Sequence, residues 1–311
     1  KDNVTKENLT AENGFTSAVL TEENGTSKTD IVFEEEGTYY IYGTDVVGNT
    51  AFKEVIVERI DKVNPVISDV RVLADNQKID MDTATGSYYV TSGSFQIQVT
   101  AQDSESGLAE NADAVVLKNN VVDLNLTAQY RDGSYFIYSN TSLDEGTYAV
   151  KYQLRDNVGN LTDEYTVTVV VDKTAPVIKD MTVKSIVDGA SAGKQYEDGG
   201  ITYFQSGIEV SFKVEEQNTA AVQAVLKDDT DTEIAGFSLA DNSILYNAEE
   251  DTYTFRYDTR EVENAYVEVY AQDKAGLTGP KVNSIRFTLD KSAPVISYSS
   301  MVSSYYGEYR G

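Results

Sequence analysis

The chain has 311 residues, with 51 acidic and 25 basic side chains and a net charge of −26. That charge repels nucleic-acid phosphates and anionic membrane surfaces, which sets aside nucleic acid as a partner and insertion into a membrane, where no run reaches the ~18 apolar residues a span needs. His, Cys and Trp are absent, so the commonest general base, the usual zinc and thiolate ligands, any disulfide and the best sugar-stacking ring are missing, although 22 Tyr remain.

Strand signals dominate from end to end, and no segment sustains a 3.6-residue apolar period. Residues 1–62 are too short for a complete sandwich. They read as the C-terminal portion of one, with the first ~15–25 residues loose. Residues 63–173 hold seven predicted strands: Val66–Val72, Ser94–Ala101, Ala114–Lys118, Val121–Thr127, Ser134–Ser139, Thr147–Arg155 and Asp163–Val171. In Ser94–Ala101, Phe95, Ile97 and Val99 alternate with Gln96, Gln98 and Thr100, the mark of a half-buried strand. Residues 174–291 repeat the plan as Val177–Lys184, Ile208–Val214, Val222–Lys227, Gly236–Ser238, Thr252–Tyr257, Ala265–Ala271 and Val282–Leu289. Residues 292–311 open with SAPVISYSS, read as the first strand of a further module or a tail, so the chain is expected to be a piece of something longer. Short strands separated by Gly, Asn and Asp turns define an all-β class: tandem immunoglobulin-like antiparallel β-sandwiches.

One phrase is written three times. EGTYYIYGTDVVGN (36–49) leads to DKVNPVI (61–67), EGTYAVKYQLRDNVGN (145–160) to DKTAPVI (172–178), and YVEVYAQDKAGL (266–277) to DKSAPVI (290–296). Pro65, Pro176 and Pro294 recur at intervals of 111 and 118 residues, the length of a whole small β domain. Within the phrase, Gly48, Gly159 and Gly276 supply the positive φ of a tight turn. Asp45, Asp156 and Asp273 are placed to accept backbone N–H bonds across it. Tyr39 and Tyr148 stand where a tyrosine corner is expected, and each proline fixes φ as the next module begins. The third copy departs from the phrase: Leu277 replaces the Asn, and Glu-Gly-Thr-Tyr shrinks to Asn264–Tyr266.

Two sets of carboxylates follow from this layout. The linker, the second-to-third strand loop and the sixth-to-seventh turn meet at one end of such a sandwich. The first junction then gathers Asp61, Asp103, Glu105 and Asp156; the next gathers Asp172, Glu215, Glu216 and Asp273. Several carboxylates with backbone carbonyls suit Ca²⁺, which takes six to eight oxygens. The competing reading is that each Asp caps its own turn and faces water. Asp228, Asp229 and Asp231 lack the Gly and terminal Glu of an EF-hand loop. Tyr130, Tyr135 and Tyr138, or Tyr298, Tyr305, Tyr306 and Tyr309, are candidates for stacking on a glycan, against the plainer reading that they pack in cores. On Ser134–Ser139 both faces are apolar, so alternation leaves open which one is core. An internal isopeptide bond would need Lys151 turned inward, and its neighbours Val150 and Tyr152 place it outward. No carboxylate pair stands out as an acid–base couple, so no enzyme is expected.

The GTY…D-x-x-GN…DKTAPVI phrase resembles the bacterial immunoglobulin-like (Big-type) repeats of large Gram-positive cell-surface proteins, over nearly the whole chain. The resemblance implies an extracellular, wall-associated array: monomeric, non-catalytic spacer and adhesion modules that hold or present a region binding a host or matrix protein or a glycan. Accessory modules of a secreted carbohydrate-active enzyme are the alternative.

Overall fold

A computed structural model describes residues 10–11, 14–23, 26–118, 121–138, 142–186 and 195–297. Tyr298, Tyr305, Tyr306 and Tyr309 lie outside the described residues, as does most of the expected tail. The secondary structure among the described residues is β, with no α-helix, and no helix is long and apolar enough to cross a membrane. The chain resolves into two compact units, one of Lys1–Leu73, Gln96–Ser139 and Ala149–Val167, the other of Ala74–Phe95, Asn140–Tyr148 and Thr168–Gly311.

In the first unit, strands neighbour one another in the order Val66–Ala74, Phe95–Gln102, Ser134–Tyr138, Val121–Arg131, Asn111–Lys118. The last four are joined by antiparallel pairs. The alternation read in Phe95–Gln102 holds: Ile97, Val99 and Ala101 are buried while the intervening residues are not. On Ser134–Tyr138 the structure settles which face is core. Tyr135 and Ile137 are buried, and Phe136 and Tyr138 turn outward. Val150, Tyr152, Leu154 and Val167 of the same unit are buried as well. At roughly 25 cal/mol per Å² of apolar surface, each such aliphatic side chain contributes about 1.5–3 kcal/mol. Residues 37–57 form a hairpin, Gly37–Thr44 with Thr50–Val57. Its Phe52 and Ile56 stay more than half exposed.

The second unit contains two facing sheets. One has the order Val177–Ser185, Ile208–Glu215, Thr252–Tyr257, Leu245–Asn247. The other runs Gln195–Asp198, Ile201–Phe204, Phe287–Leu289, Val262–Asp273, Thr219–Lys227, Glu233–Ser238. Their inner faces meet around Phe204, Phe212, Phe255, Val267, Val269 and Phe287.

Three features depart from the sequence reading. Ser87–Val90 pairs in parallel with Thr168–Val171, and Ile201–Phe204 pairs in parallel with Phe287–Leu289, so the sheets are not wholly antiparallel. The single strand expected over Val282–Leu289 is two pieces, Val282–Asn283 and Phe287–Leu289. Between them the Ser284 hydroxyl accepts the Val267 N–H at 2.9 Å, and the Ser284 N–H donates to the Val267 carbonyl at 2.8 Å. Strand Val262–Asp273 extends beyond Ala265–Ala271 at both ends.

Candidate metal centre

The D-x-x-G-N turns are built alike at the backbone. Gly48, Gly159 and Gly276 have φ of 98°, 105° and 92°, which only Gly adopts without strain. In each, the N–H of the first Asp donates to the carbonyl of the fifth residue at 3.0–3.1 Å. The Asp side chain then closes the turn. Asp45 Oδ1 accepts the N–H of Val47 (3.0 Å) and Asn49 (2.8 Å), and its Oδ2 accepts the Asn49 amide at 2.7 Å. Asp156 Oδ1 accepts the N–H of Val158, Gly159 and Asn160, and its Oδ2 accepts the Asn160 amide at 2.7 Å. Asp273 Oδ1 accepts the Leu277 N–H at 2.8 Å. Its Oδ2 is buried with no hydrogen-bond partner, because leucine has no amide to offer.

In the first unit three other groups converge on Asp156. Asp61 accepts the Val63 N–H through Oδ1 (2.8 Å) and the Ser106 N–H through Oδ2 (2.9 Å), which fastens the linker to the loop after Phe95–Gln102. Asn160 adds a second tie, donating to the Asp61 carbonyl at 3.1 Å. Asp103 Oδ1 accepts the N–H of Glu105 and Gly107 at 3.1 and 2.8 Å, while its Oδ2 is buried and unpartnered. One carboxylate oxygen each from Asp61, Asp103 and Asp156 lies within 4.8 Å of the other two, and Asp156 is only 1% exposed. Glu105 is exposed on the rim of this group. Loss of water around it, then the negative charges of Asp61 and Asp103, push its carboxyl above the usual range. Three of the four residues expected at this junction, Asp61, Asp103 and Asp156, therefore bring carboxylate oxygens close together, and Glu105 stands beside them.

In the second unit the corresponding residues lie near one another, but among the described residues they do not bring three carboxylate oxygens within 4.8 Å. Asp172 and Asp273 are each 2% exposed. Burial, then the charges of Asp172 and Glu216, push the Asp273 carboxyl up. Glu216 accepts the Asn218 N–H at 2.8 Å, as Asp103 accepts that of Glu105. The Asn218 amide then donates to Asp172 Oδ2 at 3.0 Å. Glu215, the fourth residue expected here, is not part of the group. It sits at the end of strand Ile208–Glu215, 72% exposed, and faces Lys179 at 3.5 Å. Alternation along the strand turns it away from Glu216. Asn218 takes the remaining place and escaped the sequence reading, which weighed only carboxylates.

The other candidates find ordinary partners. Tyr39 and Tyr148 donate to the carbonyls of Glu35 and Asp144 at 2.8 and 2.7 Å, both four residues upstream, as a tyrosine corner requires. Tyr135 is fully buried, donates to the Ala109 carbonyl at 2.6 Å, and burial pushes its hydroxyl up to about 12. Lys151 points outward to Glu164 at 2.7 Å.

No family model matches this chain, and no curated protein does. Among solved structures, the fibronectin(III)-like modules of Clostridium thermocellum CbhA are 12% identical, over 71% of this chain and all of theirs, with a TM-score of 0.33. A Ca²⁺-stabilized adhesin with which an Antarctic bacterium binds ice is 14% identical over 80% of this chain and 56% of its own, with a TM-score of 0.28. A 1.5-MDa bacterial ice-binding adhesin is 14% identical over 82% of this chain and 74% of its own, with a TM-score of 0.29.

Proposed function

We propose that the chain is a run of non-catalytic immunoglobulin-like modules, bounded near residues 62, 173 and 291, from the extracellular face of a bacterial surface protein of the Gram-positive type. Their work is to space and present a binding region to a host, matrix or glycan partner. The observation that carries this reading is the repeated fastening of the linker. Asp61 is bonded by its side chain to the Ser106 N–H and by its carbonyl to Asn160. Asp172, at the same place before the next proline, is buried and bonded to Asn218. A linker tied to the loops of the module that follows cannot swing freely, and that restraint is what a spacer under tension needs. Pro65 and Pro176 are both buried and add fixed φ at the same points. The acidic surface keeps such an array soluble and resists collapse onto anionic envelopes.

Stretching single molecules of the chain tests this. The expected trace shows discrete unfolding steps, with lengths matching repeats of roughly 110 residues. Extension with no resisting steps, or substrate turnover by the isolated chain, overturns the reading.

One observation favours the alternative of a glycan-binding accessory module. Gln96, Glu110, Gln129, Tyr130, Arg131, Phe136 and Tyr138 line an open depression of about 550 Å³. Exposed rings beside amides and a carboxylate suit a sugar face. Arg131 lies 4.6 Å over the Phe136 ring and covers part of it. Retention of the chain on an immobilised glycan, lost in Phe136→Ala, would support this second reading.

A further inference from the structure

Lys274 stands second in its turn, where the sister copies carry Val46 and Asn157. The three side chains behave differently. Val46 is fully exposed, and the Asn157 amide donates to the Ser106 carbonyl at 2.9 Å, inside its own repeat. Lys274 leaves its repeat. Its Nζ lies 2.6 Å from Asp82 Oδ2 and 5.1 Å over the ring of Tyr89, close enough for the ring face to attract it. By sequence both partners belong to the preceding repeat, residues 63–173. By packing they belong with Lys274, since Ala74–Phe95 and Thr168–Gly311 fall in one compact unit.

The pair is held from both ends. Asp82 Oδ1 accepts the Ala84 N–H at 2.9 Å, which leaves Oδ2 for the lysine, and the Asp82 N–H donates to the Ser87 carbonyl at 2.9 Å. The Lys274 N–H donates to the Asn218 carbonyl at 2.8 Å. The Asn218 amide donates to Asp172 Oδ2 at 3.0 Å, and the Asp172 N–H to the Val90 carbonyl at 2.9 Å. Val90 ends the strand Ser87–Val90, so these bonds close a ring that runs through both repeats and the linker. Close packing continues beside it, where a Cβ on Gly279 would stand 1.9 Å from the Pro176 carbonyl oxygen. The side chains of Lys274 and Asp82 are 27% and 23% exposed. A charge pair sheltered to that degree is stronger than one on open surface, where most contribute little. Lys274 holds the Asp82 carboxyl below its usual range, and Asp82 holds the Lys274 amine above its own.

We propose that Lys274 is a latch between consecutive repeats, its ion pair with Asp82 and its seat on Tyr89 holding the third repeat to the loop Ala74–Phe95 of the second.

This deepens the spacer reading and rests on it: the joints of the array are unequal, and the added restraint sits at the second. The charges that face each other at the first joint are alike, with Glu36 acting on Glu105 as one negative group on another.

The test uses the whole chain. It has no Cys, so two cysteines introduced at the exposed Gln77 and Glu249 carry spin labels, one on each side of the joint, and pulsed spin resonance gives the distribution of distances between them. Lys274→Gln keeps the length of the side chain and removes the charge. Asp82→Asn keeps the oxygen that accepts from Ala84. Lys274→Arg keeps the charge. Cooperative thermal unfolding of every variant confirms that it folds.

The wild type should give one narrow distribution, and Lys274→Arg the same. Lys274→Gln and Asp82→Asn should each add a broad population, its equilibrium constant raised about tenfold, the low end for loss of a hydrogen bond to a charged group. The double variant should be no broader than either single one, because both remove the same bond. Salt at about 1 M, where screening acts within about 3 Å, should broaden the wild type and leave Lys274→Gln unchanged. Equal widths in the wild type and both single variants overturn the proposal. So does broadening that adds up in the double variant, which would give the two side chains separate roles. Failure here leaves the spacer reading intact, because that reading rests on the linker bonds and the stretching trace.

Discussion

The turns Asp156–Asn160 and Asp273–Leu277 share a backbone and differ at one side chain that matters. Both close with an Asp N–H to carbonyl bond, 3.1 Å in the first and 3.0 Å in the second, and both carry Gly at positive φ. In the first, asparagine pairs the second carboxylate oxygen and also holds the linker carbonyl of Asp61. In the second, Leu277 leaves that oxygen bare, and burial with two neighbouring charges raises the Asp273 carboxyl. The comparison separates what the turn needs from what the surroundings need. The fold requires only Oδ1 and Gly; the fate of Oδ2 is free to vary.

The largest expected effect comes from removing the Asp outright. Asp156 accepts from three backbone N–H groups and one amide in a buried setting, so Asp156→Ala should cost about 3 kcal/mol or more. Asp273→Ala loses one N–H bond and relieves repulsion, so it should cost about 1 kcal/mol or less. Denaturant titration read by hydrogen exchange at each turn gives the two values separately. Equal costs would mean that Oδ2 contributes nothing at Asp156. The converse change, Leu277→Asn, should restore the missing bond. It should stabilise the chelator-treated chain by about 1.5 kcal/mol, the low end for a hydrogen bond to a charged group.

A smaller effect tests another pair of copies. Tyr148 is buried and Tyr39 is partly exposed, yet both donate to a carbonyl four residues upstream. Tyr148→Phe should cost about 1 kcal/mol, and Tyr39→Phe a few tenths, because water replaces a bond at an exposed site more readily. Thermal unfolding of the two variants measures this, and the reverse order would show that the first hairpin carries more stability than its exposure suggests.

How much of this was legible depends on the kind of signal. Alternation in Phe95–Gln102 and Ile208–Glu215 fixed strands and inward faces, because one buried face imposes a period of two. The repeated Asp-x-x-Gly turns and Asp-Lys linkers point to Asp156, Asp273, Asp61 and Asp172, and the loop after the second strand points to Asp103 and Glu216. Glu105 stands exposed beside the first group rather than in it. Glu215 failed because the strand runs on through it, so the side that faces the cluster belongs to Glu216. Asn218 was invisible to a search for charge, since its contribution is an amide reaching Asp172. The parallel pairs were missed because four-residue strands such as Ser87–Val90 are too short to show a period, and pairing with Thr168–Val171 is a long-range event.

The smallest effect is a slope with pH, and its sign discriminates between the two turns. A carboxyl pushed up in the folded chain binds its proton more tightly there than when unfolded. The stability it contributes is present below the ordinary carboxylate range and is lost as pH rises through the raised folded value. Asp273 should behave this way in chelator, with Asp172 and Glu216 as the facing charges. Other groups pull in the opposite direction. Glu268, held low by Lys281 and less strongly by Lys227, loses its contribution as pH falls. Only a difference between proteins therefore isolates the Asp273 share. Wild type minus Asp273→Asn, measured by denaturant unfolding in chelator, should decline as pH rises through the region just above the usual carboxylate range. Leu277→Asn should flatten the decline, since the new amide supports the same ionised oxygen. A flat difference before that change would mean that Asp273 does not feel its neighbours, and that the lost asparagine has no electrostatic consequence.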